Sequence, residues 1–139
     1  MFRLAAAASS IVPMIDDVLG ELATAMGISV LRNDASCVEL SMPVAGNRQP
    51  YGILHGGANA VLAEQAASML AYNARPAGRV AVGSELHINH LQPVKDGKVR
   101  AQARFIAAGS SSALIEVSIF NEAGALTAHG QMTAVYVKA

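Results

Sequence analysis

Hydrophobic and polar positions divide the chain into two unlike halves. From Val80 onward the residues alternate. Val80, Val82, Leu86 and Ile88 share one parity, and Glu85, His87 and Asn89 the other. After the turn segment PVKDGK, Val99, Ala101, Ala103 and Phe105 alternate with Arg100, Gln102 and Arg104. After AAGSSS, Ile115, Val117 and Ile119 alternate with Glu116 and Ser118. After NEAG, Leu126, Ala128, Met132, Ala134 and Tyr136 take the inward parity, with Thr127, His129, Gln131 and Thr133 on the other face. A period of two predicts half-buried strands, and the short connections predict antiparallel pairing.

The first half reads differently. Pro13 to Met26 predicts a short helix, with Pro13 in its first turn, Asp16 and Asp17 near its positive end, and Gly27 as its stop. ISVLRNDASCVELSMPV predicts a hairpin turning at RNDAS, and the polar loop AGNRQPYG follows. From about His55 to Ala74 comes a long helix, ended by RPAG. The order helix, two strands, long apolar helix, four strands predicts a single α+β domain over residues 1–139. One antiparallel sheet of about six strands would wrap one buried helix, with residues 1–12 as a flexible leading segment.

Composition narrows the function classes. Hydrophobic residues make up 53% of the 139 and charged residues 14%, an apolar excess that an oligomer would hide. Lys plus Arg and Asp plus Glu both count 10, and no basic tract stands out, which disfavours nucleic-acid binding. The single cysteine, Cys37, excludes an intrachain disulfide and fits a cytoplasmic protein; as a mid-strand residue it reads as a small buried hydrophobe. No apolar run is long enough to span a bilayer, and MFRLAAAASS is too short for a signal-peptide core.

The long helix poses the chemical question. Between Ile53 and Ala74 there is no Lys, Arg or Asp and one Glu, Glu64. Desolvating an unpaired carboxylate is costly, so Glu64 either points out through a narrow solvent stripe with Gln65 and Asn73, or is a functional acid held in a pocket. His55-Gly56-Gly57 stands where that helix begins. First-turn N–H groups lack internal partners and carry the positive end of the helix dipole, and glycine lets a ligand approach them. The two glycines could simply turn the chain; together with a lone acid further along the same helix they outline a site for an oxyanion and a base. At 1.5 Å per residue, Gly56 and Glu64 stand ~12 Å apart along the axis, so action on one small carbonyl requires two chains. There is no G-x-S-x-G, H-E-x-x-H, G-x-G-x-x-G, P-loop or cysteine pair, and His55, His87, His90 and His129 have no metal-ligand spacing; neither metal nor cofactor is implied.

The spacing Gln49-x5-His55-Gly56-Gly57-x6-Glu64-x3-Ser68 resembles the hotdog-fold acyl-CoA thioesterases, in the branch acting on hydroxybenzoyl-CoA and 1,4-dihydroxy-2-naphthoyl-CoA, the latter in menaquinone synthesis. QPYGILHGGANAVLAE, SELHINHL and GSSS also fit, and the phenylacetate-pathway type carries Asn and Asp where Gln49 and Glu64 stand. The resemblance implies an acyl-CoA substrate and a dimer with shared sites, assembled into a tetramer. It implies that the Gly56 N–H polarises the carbonyl and that Glu64 of the neighbouring subunit is nucleophile or base. Gln49 would contact the carbonyl or the water, His55 would orient the loop, and Ser68 would hold the water or the carboxylate. It places CoA over His90, Leu91 and Gln92 and over Gly109, Ser110 and Ser111, with Gly57 nearby and Gly83 and Ser84 lining the acyl end. The basic residue that the family often carries near Gln92 for CoA phosphate contact is absent, so phosphate contacts fall to Arg100, Arg104, Lys138 or a neighbouring chain. A flat acyl group would lie against side chains such as Met69 and Leu70. Two other readings remain: a hydratase or dehydratase of the same fold, which the nine-residue spacing of His55 and Glu64 fits poorly, and a non-catalytic acyl-CoA-binding oligomer.

Overall fold

The computed structural model of the protein describes residues 15–139, so Pro13 and the segment 1–12 lie outside the described residues. The elements are α1 (Ile15–Ala25), β1 (Ser29–Asn33), β2 (Val38–Pro43), α2 (Gly56–Asn73), β3 (Arg79–His90), β4 (Lys98–Ala108), β5 (Ser112–Phe120) and β6 (Leu126–Lys138). The strands form one antiparallel sheet in the order β1-β2-β4-β5-β6-β3, and α2 packs against five of them.

The core lies between α2 and the inner face of the sheet. Leu62, Ala63, Ala66, Ala67 and Leu70 of α2 meet Leu40, Val99, Ala101, Ile115, Val117 and Met132, all at most 1% exposed. Each such leucine gains roughly 1.5–3 kcal/mol from leaving water. The alanines along α2 let the sheet curve closely over the helix. No helix among the described residues is long and apolar enough to cross a membrane.

The alternation predicted for β4 and β5 is present, and four expectations are corrected. First, α1 is not continuous: Gly20 has φ 75° and ψ 178°, which breaks the helix. Its end is as expected: Gly27 at φ 75° donates to the Thr24 carbonyl, and Ile28 to the Ala23 carbonyl, closing the helix with a left-handed glycine. Second, Cys37 precedes β2 rather than lying within a strand, and it is fully buried. Third, Thr127 is buried rather than outward, its hydroxyl donating to the Ile119 carbonyl, while Leu126 is exposed at the strand end.

The fourth correction matters most for the site. The β3–β6 register shifts between Gly83 and Glu85, so Ser84 is an extra residue in a β-bulge. An extra residue reverses the parity of everything before it. Buried Tyr136, Ala134 and Met132 therefore face Ala81, Gly83 and Leu86. Val80 and Val82 lie on the other side with Val137 and Val135, and Val82 is 40% exposed. Gly83 thereby turns toward α2, and Ile88 and His90 keep the inward parity.

Candidate active site

The loop entering α2 is fixed by its own hydrogen bonds. Asn47 donates through Nδ2 to the carbonyls of Met26 and Pro43, and its carbonyl accepts from the His55 N–H. The Gln49 N–H donates to the Ile53 carbonyl, and the Gln49 side-chain oxygen accepts from the Tyr51 N–H at 2.7 Å. Arg48 donates to the Lys95 carbonyl and the Asp96 carboxylate, tying the loop to the β3–β4 connection.

His55 is the N-cap of α2. Its Nδ1 accepts from the Gly57 N–H at 2.8 Å, and its carbonyl accepts from Ala58 and Asn59. The Gly56 N–H is left without a partner among the described residues. No acidic residue stands in this first turn, so nothing offsets the positive end of the helix. The Gly56 N–H therefore presents a free donor in a pocket of about 330 Å³ lined by Gln49, Gly56, Asn59, His90, Leu91 and Gln92. Gly57 is spent on the cap.

The His90 ring lies over Gly56: a Cβ added to Gly56 would fall 2.8 Å from His90 Nε2. The side-chain amide of Asn59, one turn into the helix, stands 3.3 Å from His90 Nδ1. Asn59 is buried, and its Oδ1 has no partner among the described residues. The sequence reading missed it. The available signal was its place on the stripe with Ala63, Ala66 and Leu70, all fully buried apolar residues.

Glu64 lies in a different place. It opens into a pocket of about 310 Å³ with Leu22, Ala60, Val61, Gln65 and Leu86. Its carboxylate packs onto Gly83, where a Cβ would meet Oε1 at 2.8 Å and Met132 Sδ at 3.3 Å. Glu64 forms no salt bridge among the described residues and is exposed in the single chain, beside half-buried Gln65. Asn73 has structural partners instead, donating to Asn33 Oδ1 and the Asp34 carbonyl. The Ser68 hydroxyl donates to Met132 Sδ at 3.7 Å rather than to Glu64. Met69 and Leu70, expected beside the acyl group, are core residues, and the apolar lining of the Glu64 pocket comes from Leu22, Ala60, Val61 and Leu86.

The two pockets share no lining residue. The loop residues Leu91 and Gln92 border the first pocket and both donate to the Thr127 carbonyl. The other expected CoA segment sits at the opposite end of the sheet. Ala108, just before Gly109, aligns through Ala113 and Ala134 with Gly83, whereas His90 aligns through Ala128 and Ile119 with Ala101. At about 3.4 Å per residue these rows are roughly 20 Å apart. Gly109 donates to the Ser112 carbonyl, Ser111 accepts from Tyr136 N–H, and Ser110 is exposed. Ser84 donates to the Thr133 carbonyl. Arg100 is engaged with Glu39 at 3.4 Å and the Phe120 ring, while Arg104 and Lys138 are exposed. His87 pairs with Glu85, and His129 with Glu116.

Comparisons with known proteins identify the family and the fold. The family model of the Thioesterase superfamily matches residues 51–128, which include Gly56, Glu64 and His90. A proofreading thioesterase of Klebsiella pneumoniae is 41% identical over 100 residues, 71% of this chain and 73% of that one. A 1,4-dihydroxy-2-naphthoyl-CoA hydrolase of Escherichia coli is 35% identical over 97 residues, 69% of this chain and 71% of the other. Among solved structures, a thioesterase of Haemophilus influenzae superposes with a TM-score of 0.83 at 28% identity, covering 90% of this chain and 91% of that one. The chain belongs to the thioesterase superfamily, and it is a thioester hydrolase with the hotdog fold.

Proposed function

We propose that the protein hydrolyses the CoA thioester of an aromatic or hydroxyaromatic acid, at sites each built from two subunits. The observation that carries this reading is the separation of its two halves. The free Gly56 N–H and the Glu64 carboxylate belong to one helix but open into pockets with no common residue. A subunit therefore offers an oxyanion donor to one site and an acid to another.

In that site the thioester carbonyl oxygen accepts from the Gly56 N–H, and Gln49 borders the same space. The helix dipole stabilises negative charge as it develops on the oxygen. Glu64 of the second subunit either takes a proton from water as the water attacks the carbonyl carbon, or attacks that carbon itself. In either route the tetrahedral species collapses with loss of the C–S bond, and CoA leaves as a thiolate that takes up a proton. The first route gives the free acid directly; the second gives an anhydride of Glu64 that water then hydrolyses. The aliphatic wall of Leu22, Val61 and Leu86 beside Glu64 suits a flat apolar acyl group. The hydroxyaromatic choice is supported by the relative named as a 1,4-dihydroxy-2-naphthoyl-CoA hydrolase.

The test is a panel of benzoyl-, hydroxybenzoyl- and 1,4-dihydroxy-2-naphthoyl-CoA with aliphatic controls, ranked by kcat/KM from free-thiol release. Glu64→Ala is expected to lose at least ~10²-fold. Glu64→Ala running at the wild-type rate overturns the reading. Mixed and reassociated Glu64→Ala and Gln49→Ala subunits should regain activity, because one hybrid site then carries both native residues. Mixtures no more active than their components overturn the shared site.

A further inference from the structure

We propose that the Nε2–H of His90 is a second hydrogen-bond donor to the thioester carbonyl oxygen, beside the Gly56 N–H, and that Asn59 is the positioning residue that holds His90 in that tautomer. The inference rests on the hydrolase reading above and adds two residues to it.

The first observation is distance. His90 Nε2 lies 2.8 Å from the place of a Gly56 Cβ. Backbone geometry separates N and Cβ by about 2.5 Å, so Nε2 is no more than about 5.3 Å from the Gly56 nitrogen. Two N–H···O bonds of about 2.9 Å each span that gap, so one oxygen between them can accept from both. Both groups face the same pocket, and Nε2 has no protein partner among the described residues.

The second observation is the Asn59 amide. Its Nδ2 stands 3.3 Å from His90 Nδ1. A neutral imidazole that accepts at Nδ1 carries its proton on Nε2, the nitrogen over Gly56. Packing does not account for Asn59. It is 5% exposed on a stripe that is otherwise Ala63, Ala66 and Leu70, and its Oδ1 is buried without a partner among the described residues. Alanine would continue the stripe without stranding that oxygen, so the amide destabilises the fold where it stands. Its one polar side-chain contact among the described residues is the histidine. The reverse arrangement, with Nδ1–H donating to the amide oxygen, would strand both amide N–H groups instead.

Two measurements decide it. Long-range 1H–15N spectra of the intact protein report which ring nitrogen of His90 is protonated. The expected result is Nε2–H in the wild type, changing to a mixture of tautomers in Asn59→Leu. An Nδ1–H tautomer in the wild type overturns the proposal whatever the activity. In turnover of benzoyl-CoA, His90→Ala should lower kcat at least ~10-fold while KM moves little, because the bond strengthens as charge develops. His90→Gln, whose amide can still donate, should recover part of the loss. Adding Asn59→Leu to His90→Ala should cost nothing further. A His90→Ala protein with wild-type kcat overturns the donor role alone. A wild-type protein that releases no thiol from any CoA ester overturns the hydrolase reading as well.

Discussion

The Glu64 carboxylate rests on the backbone of Gly83, at a place where a single methyl group would lie 2.8 Å from Oε1. The contact joins the middle of α2 to the bulged segment of β3. The same side chain lines the apolar pocket of Leu22, Val61 and Leu86.

Gly83→Ala is therefore expected to separate activity from stability. The Gly83 backbone lies outside the left-handed region, so alanine fits it, and the obstructing atom is the far end of a flexible side chain. Stability should change by less than about 1 kcal/mol. A displacement of the acid by about 1 Å should lower kcat/KM ~10²-fold. Thermal unfolding together with thiol-release kinetics checks both halves, and an unchanged kcat/KM would remove Glu64 placement as the role of Gly83.

His55 caps α2 through Nδ1, which binds the Gly57 N–H. Loss of the acceptor in His55→Ala should cost about 1 kcal/mol, measured by urea unfolding. His55→Asn should restore most of it. His55→Asp should cap equally well while placing a negative charge beside the Gly56 N–H, so its kcat should fall below that of His55→Asn. Equal rates for the two would deny any electrostatic role to this helix end.

The Tyr136 hydroxyl donates to the Ala71 carbonyl across the core at 3.2 Å, and burial pushes the phenol above its ordinary value. A raised value means the folded state holds its proton longer than the unfolded chain. This contribution is complete below about pH 10 and is lost as pH rises through the folded value. Tyr136→Phe should cost about 1 kcal/mol at neutral pH and flatten the alkaline fall in stability. Unfolding curves from pH 7 to 11 for both proteins test this.

Asp34 organises the β1–β2 turn. Arg32 at 2.6 Å, then the Ser36 and Cys37 contacts, hold its carboxyl well below the usual carboxylate range. A depressed value means the contribution is present above about pH 3.9 and is lost as pH falls through the folded value. The turn should thus stay formed at pH 3, with the Asp34 carboxyl still ionised by NMR. A titration midpoint near that of a free aspartate would contradict the arrangement.

Much of this was legible in the chain. The ends of α2 follow from His55-Gly56-Gly57 and RPAG, and β4 and β5 from strict alternation against the turns that bound them. The separation of Gly56 from Glu64 follows from helical rise alone. The parity of β3 was not legible, because Ser84 carries no mark of being surplus; only pairing with β6 shows it. Gly20 lies inside the segment read as one short helix, and nothing in the local pattern marks its left-handed φ. Ser68 meets the sulfur of Met132, on the strand beneath α2 and 64 residues away, where no local pattern reaches. Asn59 was passed over for the opposite reason: its helix position was plain, but the histidine it meets comes from a strand 31 residues on.

The bulge at Ser84 has a consequence for how such a site can be changed. Removing that one residue would leave a regular ladder with every partner in place, Gly83 on Ala134 and Val82 on Val135. The seat of Glu64 is therefore set by pairing with β6 and not by counting along β3. Length is a freer variable here than elsewhere in the strand: a single-codon deletion at Ser84 should leave the acid's seat open. The same deletion between Glu85 and His90, where the ladder is regular, would have to exchange faces or move the register.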